Sequence, residues 1–389
     1  MRNLLVAVIG LVLLTVAAPA IAQDAPEDAS PLTMFNRDLV NKVKKSCIYI
    51  WIMTAGQGYS SSVGIGSGVI IMGLPEEKAA LAVTNHHVAG DSTMLQIETW
   101  DRRTYKAEML TTDAGIDASL IKIYDIAPDA YEPAVLGNSD EVQIGEPALA
   151  VGAPGSGSAV NTNRSDPMST FGLHQSTTMR VVTGRQSDPY EFIATWSGWR
   201  SDLGRQVMTN LPFRFITQSP ISGGNSGGPL FNKDGEVIAL NHAHRSFGSS
   251  INQNENYSIP INPIKKLVFE YLDKGTYEVP WFGMDVIIPP SFTEYQQVQE
   301  FVERYVDIKK IEVFSVRKDS PAERGGLKQG DVIIEFDGRT FPDLIDFRSY
   351  VFNMEIGKLV PVVVKRDGRE VELTLEVGIK RTYNSEFSL

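Results

Sequence analysis

The chain has 389 residues, 42% of them hydrophobic, enough for two or three domains with full cores. Its formal net charge of -11 gives a surface that repels a phosphate backbone, which argues against nucleic acid as a partner. A single cysteine, Cys47, excludes an intrachain disulfide and a cysteine-based zinc site; lying in the apolar run Cys47-Ile48-Tyr49-Ile50-Trp51, it reads as a small core residue.

Arg2, the apolar stretch Leu4 to Ala18 and the small residues of Ala20-Ile21-Ala22 read as a signal peptide over 1–22, cleaved before Gln23. The stretch is short for a bilayer span, and no cysteine follows it to carry a lipid. Export of a chain without a disulfide-capable pair fits a bacterial periplasm. Residues 23–35 are polar and read as a flexible leader. Spaced Leu39, Val40 and Val43 predict a short helix within 36–45. Short runs rich in Val, Ile, Thr and aromatics then recur at 47–53, 68–72, 81–84, 93–99, 105–110, 119–124 and 148–151, separated by Gly, Asp, Asn and Pro. Such spacing predicts an antiparallel barrel or sandwich rather than a parallel sheet. The region 156–211 is looser, with strand character at 179–183 and 191–196, and regular runs return at 213–218, 230–231, 237–241 and 257–261. Pro263 to Lys274, closed by Gly275, predicts a helix and a domain connector over 263–279. A second β-rich unit follows, with Ser320-Pro321-Ala322-Glu323 as a helix start and Gly325-Gly326 as its stop.

The chemistry concentrates in Gly223-Gly224-Asn225-Ser226-Gly227-Gly228-Pro229-Leu230. A serine flanked by glycines before an apolar run suits a nucleophile on a tight turn, whose N–H groups can converge on an oxyanion. A serine hydroxyl needs a base, and the base needs an orienting acid. Of the five histidines, His86 and His87 sit together at the end of an apolar run, and Asp117 opens another; Asp113 and Asp125, the rival acids, do not. The order His, Asp, Ser is that of the chymotrypsin-like double β-barrel. His242 and His244, two apart, would form a metal pair only with a third ligand, and none is evident. Gly152-Ala153-Pro154-Gly155 lacks the Lys-Ser/Thr of a phosphate loop, so neither cofactor nor metal is expected.

Together these motifs resemble the HtrA/Deg family of trypsin-like serine proteases. Gly66-Ser67-Gly68, Thr84-Asn85-His86-His87-Val88, Asp117-Ala118-Ser119-Leu120-Ile121-Lys122, Leu136-Gly137-Asn138-Ser139-Asp140 and the Asn225-Ser226-Gly227-Gly228 turn all match, within a span from about Val43 to Gly378. The resemblance implies a mostly β protein: a chymotrypsin-like double β-barrel protease domain over 36–262, expanded at 156–211, then a PDZ domain over 280–379 and a tail over 380–389. It makes His87 the base, Asp117 its orienting acid and Ser226 the nucleophile, with Gly224, Asn225 and Ser226 forming the oxyanion hole. His86 is then structural, turned from the cleft because neighbours on a strand alternate faces. Ile221, Asn241, His242 and Ala243 would line the substrate cleft; no acid stands in 219–224, so a small or medium apolar P1 side chain is expected. Trp281-Phe282-Gly283-Met284 resembles the PDZ loop that binds a C-terminal carboxylate. Unfolded or misfolded proteins, C-terminal peptides and sister subunits in a trimer or multiple of trimers are the implied partners, with Phe35 and Tyr49 as candidate trimer contacts. The alternatives are a proteolytically silent chaperone or scaffold, and a regulatory protease with one target.

Overall fold

A computed structural model describes residues 37–54, 62–90, 95–153, 176–186, 214–218, 224–247, 250–286 and 310–380. The chain enters through helix α1, Arg37–Val43, and a 3-10 turn over Lys44–Ser46. Strands β1 (Cys47–Thr54), β2 (Ser62–Leu74), β3 (Ala79–Thr84), β4 (Leu95–Glu98), β5 (Thr104–Asp113) and β6 (Ala118–Ile123) close a barrel in the order β1-β2-β3-β6-β5-β4. The short helix α2, His86–Ala89, leaves the end of β3.

A second sheet holds β7 (Val135–Leu136), β8 (Pro147–Gly152), β9 (Ser176–Gln186), β10 (Arg214–Thr217), β11 (Pro229–Phe231), β12 (Glu236–Phe247) and β13 (Ser250–Pro260). Its order is β11-β8-β9-β10-β13-β12-β7, and a further β11–β12 pairing joins the two ends of the first six strands. The double barrel expected from the sequence is therefore present. The run predicted at 191–196 and the expanded region outside 176–186 lie outside the described residues.

Several strands are apolar without alternation because each is buried on both faces. In β3, Ala80 and Ala82 fill the first barrel while Leu81 and Val83 face the space between barrels. In β8, Ala148 and Ala150 point into the second barrel while Leu149 and Val151 face the first. The inter-barrel layer is thus built from alternate residues of strands in both barrels, and the segments holding His87, Asp117 and Ser226 lie at or beside the ends of strands. Cys47 belongs to this layer, and burial pushes its thiol up to about 12, so it is a core residue. Tyr49 is 3% exposed, so the expected trimer contact is instead part of the barrel wall; Phe35 lies outside the described residues.

Helix α3 runs from Ile261 to Lys274. It begins two residues before the predicted Pro263 start, since a proline within the first turn displaces no helical hydrogen bond. Ile261, Ile264, Leu267 and Val268 are fully buried in the inter-barrel layer, so this connector is also core. The layer extends to Tyr277, Val279 and, from the C-terminal unit, Phe352.

That unit pairs β14 (Val279–Trp281) with β21 (Gly378–Lys380), and β15 (Met284–Asp285) with β17 (Ser315–Val316). A four-stranded sheet has the order β16-β18-β19-β20, formed by Ile311–Glu312, Val332–Phe336, Leu359–Arg366 and Arg369–Glu376. Helices α4 (Pro321–Arg324) and α5 (Leu344–Phe352) flank them. Ser320 caps α4 by accepting from the Glu323 N–H at 3.1 Å, while the Glu323 carboxylate accepts from Asp319 N at 2.6 Å, one residue before the cap. Phe282, Phe336 and Phe347 centre the core, with ring centroids 5.3 and 5.0 Å apart in edge-to-face contacts.

Leu267 joins α3 to the inter-barrel layer and is 0% exposed. Leu267→Ala is expected to cost ~2–5 kcal/mol of stability through a buried cavity, read as a lower urea midpoint with an unchanged slope.

Candidate active site

Asp117 lies in the turn between β5 and β6 with φ 50°, a left-handed conformation that aspartate tolerates better than most side chains. The Asn85 side-chain amide donates to its backbone oxygen at 3.0 Å and fixes the turn against the end of β3. Its carboxylate is 0% exposed and accepts three donors. Oδ1 takes the backbone N–H of His87 at 2.9 Å, and Oδ2 lies 2.8 Å from His87 Nδ1 and 2.6 Å from His242 Nδ1. Burial alone would raise the Asp117 pKa. The charge of His87 and the N–H groups of both His87 and His242 outweigh it and hold the carboxyl well below the usual carboxylate range. An ionised carboxylate only accepts, so both imidazoles carry their proton on Nδ1.

His87 is the ring whose side chain keeps 24% exposure, so its other edge reaches the cleft. Desolvation would lower its pKa, but the charge and hydrogen bond of Asp117 win and raise it above 6.5. His242 is buried; desolvation and the nearby Arg214 push it down to about 4 despite Asp117, and it stays neutral at physiological pH. Arg214 on β10 is itself buried, and desolvation lowers it to about 10 against the pull of Asp117.

His86 also differs from the alternation argument, because His86 and His87 open α2 instead of continuing β3. His86 still turns elsewhere, its Nδ1 2.8 Å from Thr112 Oγ1, but helical rotation rather than strand alternation separates the rings. The rival acids are otherwise engaged. Asp113 accepts from Gly115 N–H at 2.7 Å and Tyr277 O–H at 3.1 Å, and burial raises its pKa. Asp125 is exposed in a turn after β6.

The Ser226 turn is held by the first barrel. Ser67 N–H donates to Ser226 O at 2.8 Å, and Ser67 Oγ donates to Gly224 O at 2.7 Å while accepting from Ala153 N–H at 2.9 Å. Gly227 has φ 82°, and a Cβ there would lie 2.2 Å from Ser67 O and from Thr84 Oγ1, so only glycine fits. The second barrel holds the other side, with Gly227 N–H donating to Asn241 O and Asn241 N–H to Gly228 O, both at 2.8 Å. Gly224 has φ 96°, and the N–H groups of Gly224, Asn225 and Ser226 donate to no other described residue. The Ser226 hydroxyl donates to the backbone oxygen of His242 at 2.8 Å.

Two expected cleft residues face inward instead. The Asn241 side chain is 1% exposed and donates to Val151 O and Pro229 O at 3.4 and 3.3 Å, because its strand position points into the barrel. His242 points at Asp117. Ala243 continues β12, and Ile221 lies outside the described residues. Ser67 and Arg214 carried no such expectation; for Ser67 the one signal was its place between Gly66 and Gly68. His87, Asp117 and His242 form the one triple of metal-ligand-type side chains among the described residues. The positive field of Arg214 and the short imidazole–carboxylate hydrogen bonds favour protons there over a dication. In the C-terminal unit, Phe282 is core, and Gly283 has φ 76° with a Cβ position 2.2 Å from Ser320 Cβ. Trp281 ends β14 half-buried, and Met284 opens β15 opposite Val316.

A family model described as a trypsin-like peptidase domain matches residues 66–240, and one described as a PDZ domain matches 292–377. A Bacillus subtilis protein named Serine protease Do-like HtrA is 27% identical over 330 residues, 83% of this chain and 65% of that one. A Chlamydia trachomatis protein named Probable periplasmic serine endoprotease DegP-like is 28% identical over 314 residues, 80% of this chain and 53% of that one. The chain thus spans from about half to two thirds of these relatives' length. A solved structure titled HtrA-type protease AlgW with tripeptide matches with a TM-score of 0.63 at 25% identity, over 89% of this chain and 97% of that one. The crystal structure of the serine endoprotease from Yersinia pestis shares the fold, with a TM-score of 0.58 at 19% identity over 88% and 97% of the two chains.

Ser67→Ala removes the hydroxyl that joins Gly224 O to Ala153 N–H and leaves two buried backbone groups without it. The variant is expected to lose ~1–3 kcal/mol in urea unfolding.

Proposed function

We propose that this chain, a member of the HtrA/Deg family of trypsin-like serine proteases with a C-terminal PDZ domain, is a serine endopeptidase that cleaves unfolded or misfolded proteins. The observation that carries the reading is the buried, ionised Asp117 gripping His87 through Oδ1 and Oδ2, beside a serine turn bound to both barrels. Ser226 Oγ attacks the peptide carbonyl carbon as His87 Nε2 takes its proton; the carbonyl π pair moves onto oxygen. The N–H groups of Gly224, Asn225 and Ser226 receive that oxyanion. Collapse of the intermediate breaks the C–N bond, and His87 returns the proton to the leaving amine. Water, deprotonated by His87, then releases the acyl group from Ser226. Asp117 keeps the Nδ1–H tautomer and stabilises the imidazolium without itself taking the proton.

The resting nucleophile is off-line: its hydroxyl donates to His242 O at 2.8 Å and must turn to His87 Nε2 before attack. The PDZ domain supplies peptide recognition through Trp281-Phe282-Gly283-Met284, where Gly283, with φ 76°, packs so close to Ser320 that a side chain would clash. Residues 1–22 direct export to the periplasm, the compartment named for the chlamydial relative, and the working assembly is a trimer or a multiple of one.

Mature chain from Gln23 is expected to degrade unfolded casein while Ser226→Ala is inert; cleavage by Ser226→Ala at the wild-type rate overturns the assignment. A fluorophosphonate should label Ser226 in the wild type, which separates a competent protease from a silent scaffold. The base works only unprotonated, and the His87 pKa is raised. Activity should therefore fall as pH drops through a midpoint raised above that of an ordinary imidazole, and a kcat/KM profile with no acid limb contradicts His87 as base.

A further inference from the structure

Besides the imidazole on the cleft side, Asp117 holds a second one, and the backbone explains how it gets there. In the β12–β13 ladder Asn241 pairs with Ser258 and Ala243 with Tyr257, so His242 is the extra residue of a β-bulge. A bulge re-aims the side chain of the inserted residue and frees its carbonyl from the ladder. At His242 both results converge on the catalytic centre. The ring donates to Asp117 Oδ2 at 2.6 Å, and the carbonyl accepts the Ser226 hydroxyl at 2.8 Å. The rings of His87 and His242 meet edge-on with centroids 5.4 Å apart, on either side of the same carboxylate oxygen.

We propose that His242 is a positioning residue of the peptidase, a second imidazole that fixes the Asp117 carboxylate from behind and limits how strongly Asp117 pulls on His87. The proposal rests on the reading of Ser226, His87 and Asp117 as a catalytic triad. Its physical content lies in sharing one oxygen. Two donors on Oδ2 divide its electron density, so each hydrogen bond is weaker than it would be alone. Among the described residues, the charged groups acting on His242 are Asp117 from the β5–β6 turn, His87 from α2 and Arg214 from β10. The ring stays neutral in this setting and contributes a donor without a charge. Without it, Oδ2 belongs to His87 alone, the imidazolium gains stability, and the carboxylate loses one of its restraints against rotation.

Asparagine and leucine have nearly the same shape, but only asparagine offers an N–H where His242 Nδ1 lies. His242→Leu is therefore expected to slow fluorophosphonate labelling of Ser226 by about tenfold and to move its acid midpoint to higher pH. His242→Asn should label within about threefold of wild type, with the midpoint near its original place. Equal labelling by all three chains with unmoved midpoints overturns the proposal. So does an asparagine variant as slow as the leucine one, because the effect is then packing rather than donation. A second measurement needs no reactivity. Proton spectra of full-length nitrogen-15-histidine-labelled chain should show two imidazole Nδ1–H signals downfield of the amides, one of them lost in His242→Leu. A wild type that shows only the His87 signal overturns the contact, while labelled Ser226 leaves the triad standing. Two signals with an unlabelled Ser226 have the opposite meaning: the contact holds and the peptidase reading fails.

Discussion

The carboxylate of Asp117 is the constraint from which the rest of the site follows. A fully buried anion is costly unless donors replace the water it has lost, and here three N–H groups do so. Satisfying them draws together the α2 helix after β3, the turn before β6 and the bulge in β12, elements of both barrels. The buried Arg214 adds a positive field near the anion without a place in the triad itself. Losing any one donor leaves the buried carboxylate held by two, so the geometry is over-determined.

The same economy governs the nucleophile turn. Ser67 from the first barrel and Asn241 from the second grip it by its backbone, and Gly227 fits because nothing larger can pass Ser67 O and Thr84 Oγ1. The backbone of the turn is thus rigid while the one torsion that matters, the Ser226 hydroxyl, stays free to choose between His242 O and His87.

The inter-barrel layer links this centre to the C-terminal unit. Helix α3 buries Ile261, Ile264, Leu267 and Val268 there, and Phe352 of α5 joins the same cluster. Lys266 reinforces the junction, with Nζ donating to Phe352 O at 2.6 Å and lying 4.5 Å from the Phe352 ring centroid. A continuous apolar path therefore runs from the PDZ unit to β3 and β11, beside whose ends His87 and Ser226 lie. Rigid packing of this kind transmits displacement better than an exposed tether would.

Much of this was legible in the chain itself. Short β-branched runs between turn residues gave two barrels, because strand periodicity and turn chemistry are local properties. Asp117 stood out by opening an apolar strand and Ser226 by its glycine turn, both consequences of nearest neighbours. What local pattern could not carry was whatever depends on register. One extra residue in β12 leaves His242 unpaired beside Asp117, and a bulge leaves no mark in composition or spacing. Helical rotation after Asn85 likewise decides which of two adjacent histidines meets the acid. The residue types were written in the sequence; which atoms share Asp117 Oδ2, and where the Ser226 hydroxyl rests, were decided by the packing of two barrels against each other.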